Sequence, residues 1–169
     1  MQFTRRVARI AYFFLPEDYT GLSDRLNCQK LRYKPNLDYM PSIFSKIVAG
    51  EIPCHKIAET DDFLAFLDVF PIAPGHTLVI PKKEVDYIFD LEDDLYSGLM
   101  QFAKKIAPAI EKVVPCKRIG VSVIGLEVPH AHVHLIPLNS MADMDFASKL
   151  KMEPEELARI AREIREALA

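Results

Sequence analysis

Three of the chain's five histidines stand at every second position in the stretch VPHAHVHLIP, residues 128–137. Alternate side chains of a β-strand point to the same face, so a strand here places His130, His132 and His134 side by side. Each buried imidazole needs hydrogen-bond partners, which makes ordinary core packing a poor explanation for all three. A solvated polar face is the structural alternative. The spacing favours a site of chemistry.

Two kinds of chemistry fit such a row. In the first, the histidines bind a metal ion. The outer two lie about 13 Å apart at a rise of about 3.3 Å per residue, so further ligands must come from His55, His76 or carboxylates. In the second, the central imidazole of His132 is a nucleophile. A neutral ring attacks through one nitrogen when the other is protonated and held by an acceptor, such as a main-chain carbonyl of the same strand.

The second interpretation also gives the flanking histidines a role. Their imidazoles donate to phosphoryl oxygens or to a leaving group, and the ordinary pKa of a histidine lies near neutrality. One strand then supplies the nucleophile and its helpers. We therefore favour nucleophilic catalysis, and keep a metal-dependent hydrolase as an alternative.

Apolar runs rich in strand-forming residues predict the sheet that holds this row. The predicted strands cover residues 63–69, 76–81, 118–125 and 130–138. The first two are joined by the turn-like segment PIAPG. Because strands dominate between the helices, the pattern favours an α+β fold, with an antiparallel sheet of about five strands and helices packed on one side.

Three segments have helical signals. Ser42 precedes apolar residues at helical spacing in SIFSKIVAG, where Gly50 should end the helix. Residues 90–114 form a longer amphipathic pattern that Pro108 should bend or split. The tail, residues 153–169, begins with a proline and acidic residues and continues as an amphipathic helix.

Residues 1–39 differ from the remainder in charge. They carry seven Lys/Arg against four Asp/Glu, whereas residues 40–169 carry fourteen against twenty. We expect residues 1–39 to be a flexible N-terminal extension or a misassigned start upstream of Met40, with a structured arm as the alternative. Arg9 interrupts the early apolar run and no small-residue cleavage site follows it, which argues against a secretory signal.

The composition excludes several classes of function. A net charge of −3 argues against nucleic-acid binding through a basic surface. The apolar runs are shorter than the roughly 18–20 residues of a membrane-spanning helix. The cysteines, Cys28, Cys54 and Cys116, form no CxxC pair, so neither a disulfide framework nor a thiolate zinc site is indicated. We expect a cytoplasmic protein.

Four blocks, in this order and at these spacings, resemble a known family: IFSKIVAGEIP, FLAFLDV, APGHTLVIPKK and HAHVHLI. The last fits the pattern His-φ-His-φ-His-φ-φ, with φ an apolar residue, of the histidine triad (HIT) superfamily of nucleotide hydrolases and transferases. The blocks are similar to the Hint-like branch and its bacterial relatives. The resemblance implies a HIT domain over residues 40–140, followed by a C-terminal segment, 141–169, that contains the tail helix.

The resemblance implies a role for each histidine that matches the pattern. His132 is then the nucleophile, which attacks an α-phosphorus to form a nucleotidyl-histidine that water hydrolyses. His130 and His134 support it, with His134 near the phosphate. His76 in PGH orients the others from behind the site.

The resemblance also implies nucleotide contacts. Asp68 is expected to accept hydrogen bonds from the ribose hydroxyls, with turn capping as its structural alternative. An apolar slot is expected to hold the base, and simple core packing is the alternative for its members, which are Ile43, Phe44, Ile47, Phe66 and Val69.

Three departures from the family pattern matter. Leu126 and Glu127 stand where Gln and Ser or Thr are common before the triad. A carboxylate there repels an anionic substrate by about 1 kcal/mol or more at close range, or else it handles a cationic leaving amine. The family's asparagine on the preceding strand is missing, and Ser122 is the nearest polar residue. Some bacterial relatives bind structural zinc at positions that here are Ser42, Ser45 and Glu84, a poor ligand set, so we expect no metal site.

These observations predict a hydrolase that cleaves at the α-phosphorus of purine nucleotides carrying an amine or phosphate leaving group. The covalent step needs no cofactor, because histidine is already the nucleophile. The resemblance implies a homodimer joined through the strand at 118–125 and the long helix before it. A nucleotide-binding or sensing module with little turnover is the main alternative.

Overall fold

The structure, a computed structural model, describes residues 41–169, and the predictions for residues 1–39 lie outside this part. Eight helices and strands follow one another along it. They are α1 (Ile43–Val48), β1 (Lys56–Glu59), β2 (Phe63–Leu67), β3 (Thr77–Pro81), α2 (Asp93–Val113), β4 (Arg118–Ser122), β5 (Val133–Leu138) and α3 (Pro154–Leu168). Short 3-10 helices cover Ile88–Asp90 and Met141–Met144.

The strands form one antiparallel sheet in the order β1-β2-β3-β5-β4. The α+β class and the number of strands are confirmed. β5 is the last strand in sequence, yet it lies between β3 and β4. The histidine segment is therefore central in the sheet, and β4 forms an edge.

The sheet has a core on each face. Side chains of β2 alternate between them: Ala65 and Leu67 join the larger core with α2 and α3, whereas Leu64 and Phe66 face the smaller core with Phe44 of α1. The two long helices thus share one face, as predicted. The short helix α1 is on the opposite face, where Phe44 packs against the strands that carry the site.

Helix α1 begins and ends where its sequence predicts. The Ser42 hydroxyl accepts a hydrogen bond from the Ser45 amide at 3.0 Å, which satisfies one free donor of the first turn. Gly50 follows the helix with a φ of 77°, a left-handed conformation that glycine adopts without strain.

Helix α2 differs from its prediction. It continues unbroken from Asp93 to Val113 although Pro108 lies inside it, so the expected split is wrong. The proline ring leaves one carbonyl of the helix without its usual partner. Apolar side chains bury the helix on both sides of the proline, Phe102 and Ile106 before it and Ile110 after it, and this packing offsets the loss.

The strand of the histidine row starts later than predicted. Regular pairing begins at Val133, so only His134 lies within β5. The residues just before it lie outside the regular pairing, because the Ala131 amide donates to the Val85 carbonyl at 2.7 Å rather than to β3. The edge strand β1 is an addition that the sequence patterns did not predict. No helix in residues 41–169 is long and apolar enough to cross a membrane.

Candidate active site

The ring of His132 has one nitrogen held by the main chain. Its Nδ1 lies 2.6 Å from the His130 carbonyl oxygen. A carbonyl only accepts, so Nδ1 carries a proton, and in the neutral ring Nε2 is the nitrogen that keeps its lone pair. This is the main-chain acceptor predicted from the sequence. The ring is almost fully buried and contacts Phe44 edge to face, with 5.2 Å between ring centroids.

A second chain of hydrogen bonds fixes His134. The Ile72 amide donates to Nδ1 of His76 at 3.3 Å, so the proton of His76 is on Nε2. That nitrogen lies 2.9 Å from Nδ1 of His134, which must accept. The proton of His134 is therefore on Nε2, the nitrogen that faces away from His76. The ring centroids of His132 and His134 are 4.8 Å apart, so a ring that can donate through Nε2 lies beside one whose Nδ1 is held by the main chain.

Both ring nitrogens of His130 are bound by the protein. Nε2 donates to the Pro81 carbonyl at 2.8 Å, and Nδ1 accepts from the Ser42 hydroxyl at 2.8 Å. The ring has no exposed surface. His130 therefore acts on the site through its main-chain carbonyl, which holds His132, and its ring has no nitrogen left for a phosphoryl oxygen.

Two further side chains, Glu84 and Ser45, extend the anchor of His130. Glu84 accepts hydrogen bonds from the Ser42 amide at 3.0 Å and from the Ser45 hydroxyl. The positions that hold zinc in some relatives thus lie together in space, as the resemblance implies. Their hydroxyls and carboxylate do not fit that metal, because they already satisfy one another with hydrogen bonds and include no thiolate.

One group in residues 41–169 has donor atoms close enough to share a metal ion. It consists of Asp68, His76 and His134, with the donor atoms within 4.8 Å of one another. The hydrogen bond between the two rings and the Ile72 amide already occupy the imidazole nitrogens that face inward. The observed geometry is therefore explained by a proton-ordered pair of rings.

Burial sets the charge of these rings. Burial, with smaller contributions from the nearby Lys149 and His132, lowers the pKa of His76 to about 4 and that of His134 to about 3. Burial also lowers the pKa of His130, against an opposing effect of its bond to the Pro81 carbonyl. At neutral pH these rings are uncharged, so each has the single tautomer that its partners select.

Asp68 makes the contact of a turn-capping residue. Its Oδ1 accepts from the Phe70 amide at 2.9 Å, and its Oδ2 lies 3.6 Å from Nδ1 of His76. The side chain is 18 % exposed, so the turn cap does not bury it completely. Its predicted ribose contact and its turn cap are thus compatible.

The five residues predicted for the base slot divide into two groups. Phe44 and Phe66 are buried and pack edge to face at 5.6 Å between centroids, and Ile47 lies partly buried against them. Core packing accounts for these three. Ile43 and Val69 are each about half exposed and present apolar surface to solvent.

The sheet register aligns several predicted residues. Phe66 pairs with Leu78, Leu78 with His134, and His134 with Ser122. Directly paired residues of antiparallel strands point to the same face. Ser122 is therefore beside His134, whereas Glu127 lies in the loop before the triad, 79 % exposed and bound to Lys149.

A cavity of about 310 Å³ opens beside His132. His132 is the only residue predicted for the site that lines it. Most of the lining comes from two loops and the start of α2, and it includes Asp86, Tyr87, Phe89, Tyr96 and Ile124. Sequence patterns did not indicate these residues, although two aromatic side chains in the loop before α2 were a usable signal.

The fold, the ordered imidazoles and the sequence define one class of protein. The family model described as "HIT domain" matches residues 49–141. The chain therefore belongs to the HIT family.

Individual relatives agree with this assignment. "Protein hit" of Bacillus subtilis is 35% identical over 139 residues, which are 75% of this chain and 94% of that protein. Adenosine 5'-monophosphoramidase hnt1 of Schizosaccharomyces pombe is 41% identical over 100 residues, 58% of this chain and 74% of that one. The structure of a Hit-like protein of Bartonella henselae superimposes with a TM-score of 0.66 at 34% identity and covers 75% of this chain and 95% of its own.

Proposed function

We propose that the protein is a nucleotide hydrolase that acts at the α-phosphorus of purine nucleoside phosphoramidates or dinucleoside polyphosphates. The observation that carries this proposal is the bond from Nδ1 of His132 to the His130 carbonyl, which leaves Nε2 as an unprotonated nucleophile. Similarity to the monophosphoramidase of S. pombe supports the phosphorus–nitrogen bond as the one cleaved.

The proposed reaction has two displacements. Nε2 of His132 bonds to the α-phosphorus, the bond to the leaving nitrogen breaks, and that nitrogen keeps the electron pair and takes a proton from water. A second water then attacks phosphorus, the phosphorus–Nε2 bond breaks, and the nucleoside monophosphate leaves while a proton passes to solvent.

His134 stabilises this reaction as a hydrogen-bond donor. Its low pKa keeps it neutral, and a neutral imidazole does not give up its remaining proton. The Nε2–H group instead donates to a phosphoryl oxygen, where negative charge increases in the transition state. Asp68 is proposed to accept from the ribose, and the exposed Ile43 and Val69 to contact the base. Buried Phe44, Ile47 and Phe66 support that surface from behind.

The test is turnover of adenosine 5'-phosphoramidate by the full chain and by His132→Gly. We expect release of AMP by the wild type, a nucleotidyl adduct that survives alkaline denaturation, and loss of turnover by at least about 10³-fold in the variant. AMP binding should change little. His55→Gln, outside the site, is the matched control.

The outcomes separate the alternatives. Bound AMP with neither adduct nor release would favour a nucleotide-binding module, to which the acidic Glu127 beside the triad points. Loss of turnover after exhaustive chelation would favour a metal-dependent hydrolase. Equal loss of binding and turnover in His132→Gly would make His132 a binding residue.

We also propose a cytoplasmic homodimer joined at the free edge of β4. Within residues 41–169, β4 pairs only with β5, and Val121 on that strand is 53 % exposed. An unpaired strand edge with apolar side chains is a ready site for pairing with a second copy.

A further inference from the structure

The segment after β5 returns across the triad. The Phe146 ring lies 5.0 Å from the His134 ring and 6.2 Å from the His76 ring, centroid to centroid, and meets both edge to face. The Leu150 amide donates to the Pro71 carbonyl at 2.7 Å. One end of residues 146–150 thus packs against the rings of His134 and His76, and the other end is hydrogen-bonded to the Pro71 carbonyl.

Lys149 lies within this segment. Its Nζ donates to Glu127 Oε2 at 3.2 Å, which joins the segment to the loop before the triad. The positive charge of Lys149 contributes to the lowered pKa of two buried rings, His76 and His134. The contact of Phe146 with His134 and the bond to Glu127 hold the segment that carries Lys149 beside the triad, and the lysine side chain is 39 % exposed.

The site needs such a cation. A nucleotide brings a negative charge to a place where His76 and His134 are neutral and where two acidic side chains, Asp68 and Glu127, are close. An exposed ion pair between two long side chains contributes little to stability. Phosphate oxygens accept charge-assisted hydrogen bonds from lysine as carboxylates do, so a bound phosphate can replace Glu127 as the partner of the ammonium.

We propose that Lys149 binds the substrate phosphate, and that Glu127 holds its ammonium beside the triad until the nucleotide enters. This inference rests on the proposed nucleotide site but not on turnover. It also assigns a role to Glu127, which offsets the lysine charge in the free protein and becomes a repulsive neighbour only when the lysine is lost.

Calorimetric titration with AMP and with adenosine tests the proposal, because the two ligands differ only in the phosphate. We expect Lys149→Gln to weaken AMP binding by about tenfold or more, corresponding to about 1.4 kcal/mol, and to leave adenosine within about twofold. Lys149→Arg keeps the charge and should stay within about threefold of the wild type. Lys151→Gln, an exposed lysine two residues away, is the matched control and should change neither ligand.

A second pair of variants tests the role of Glu127. Glu127→Gln should tighten AMP binding, because the lysine no longer has to leave a carboxylate. Adding Glu127→Gln to Lys149→Gln should restore part of the lost affinity, because the repulsion is removed. Both effects should shrink as salt concentration rises.

Three results would overturn the proposal: AMP that binds wild type no more tightly than adenosine, a Lys149→Gln variant that loses both ligands equally, or one that loses neither. A protein that binds AMP through Lys149 but never turns over phosphoramidate would refute only the proposed hydrolysis. Thermal unfolding of each variant checks that the fold is intact.

Discussion

Single hydrogen bonds decide what each imidazole of the site can do. His132 and His134 are neighbours in space, but the main chain holds the proton of one on Nδ1, while His76 leaves the proton of the other on Nε2. The same residue type can thus serve in the two different roles proposed here, nucleophile and hydrogen-bond donor. The difference depends on whether the partner of Nδ1 is a carbonyl or a ring that donates.

The uncharged state of His76 and His134 predicts a pH dependence of stability. The pKa values of His76 and His134 in the folded protein, about 4 and about 3, lie below the value of about 6.5 of an unfolded histidine. The unfolded chain therefore binds more protons between these limits. We expect the free energy of unfolding to fall by about 1–2 kcal/mol for each ring between pH 7 and pH 5.

Urea denaturation at fixed ionic strength measures this effect. The exposed Glu59, whose pKa is lowered to about 2 by hydrogen bonds to Lys56 and Lys82, loses its stabilising charge only below this range. A free energy of unfolding that stays constant from pH 7 to pH 5 would contradict neutral, buried rings.

At the scale of elements, the cap of α1 and the anchor of the triad are the same side chain. Ser42 accepts from the Ser45 amide and donates to the His130 ring. We expect Ser42→Ala to lower the free energy of unfolding by about 2–3 kcal/mol, since it removes a cap and leaves a buried nitrogen without a donor. Turnover should fall too, because the loop that carries the His132 acceptor is loosened.

Chemical denaturation and phosphoramidate turnover measure these two losses. Ser140→Ala is the matched control, because Ser140 also caps a short helix but is exposed. We expect it to cost less than about 1 kcal/mol and to leave turnover unchanged. Equal effects of the two substitutions would show that the bond to His130 contributes nothing.

The turn before β3 predicts a second element-scale effect. Gly75 has a φ of 80°, and a Cβ built there meets Val114 Cγ2 at 2.7 Å. Gly50 has a similar φ of 77° but open space around it. We expect Gly75→Ala to cost about 2–4 kcal/mol and Gly50→Ala about 1–2 kcal/mol, with the difference due to overpacking against α2.

Equilibrium unfolding of both variants provides this comparison. Because His76 follows Gly75 directly, turnover should decrease in Gly75→Ala and not in Gly50→Ala. Equal losses of stability would mean that the backbone conformation alone sets the cost and that α2 yields to the added methyl group.

Local patterns were sufficient to predict some of these elements. Ser42 and Gly50 mark the ends of α1, and the tail helix α3 follows its apolar periodicity. β1 was not predicted because its four residues pair with β2 alone and only one of its side chains is fully buried. The predicted start of β5 was too early because the Ala131 amide donates to the carbonyl of Val85, a residue distant in sequence, and not to the neighbouring strand.

Some features of the candidate site were likewise predictable from local patterns, and others were not. The alternating histidines predicted one cluster, and the fixed tautomer of His132 depends on a carbonyl two residues away. The contacts of His76 with His134 and of Ser42 with His130 span 58 and 88 residues. Such contacts follow from the strand order. A single sequence predicts them only through family resemblance, and Lys149 lacked even that signal.

At the scale of the whole molecule, the open edge of β4 makes assembly testable. We expect sedimentation velocity to find a dimer for the wild type and a monomer for Val121→Lys, because a buried lysine at a strand pairing edge has no partner for its charge. Met141→Lys, at another exposed apolar position, should leave the dimer intact. A wild-type monomer at micromolar concentration would refute the proposed assembly.

The place of β5 in the sheet has a consequence for how activity arises during folding. β5 is the last of the five strands to be synthesised, yet it lies in the sheet between β3 and β4, which precede it in the chain. Until it does, β3 and β4 have no shared partner and the donor and nucleophile have no common scaffold. The proposed active site therefore requires the complete sheet, and a chain that stops before β5 is placed leaves strand edges exposed to pairing with other chains.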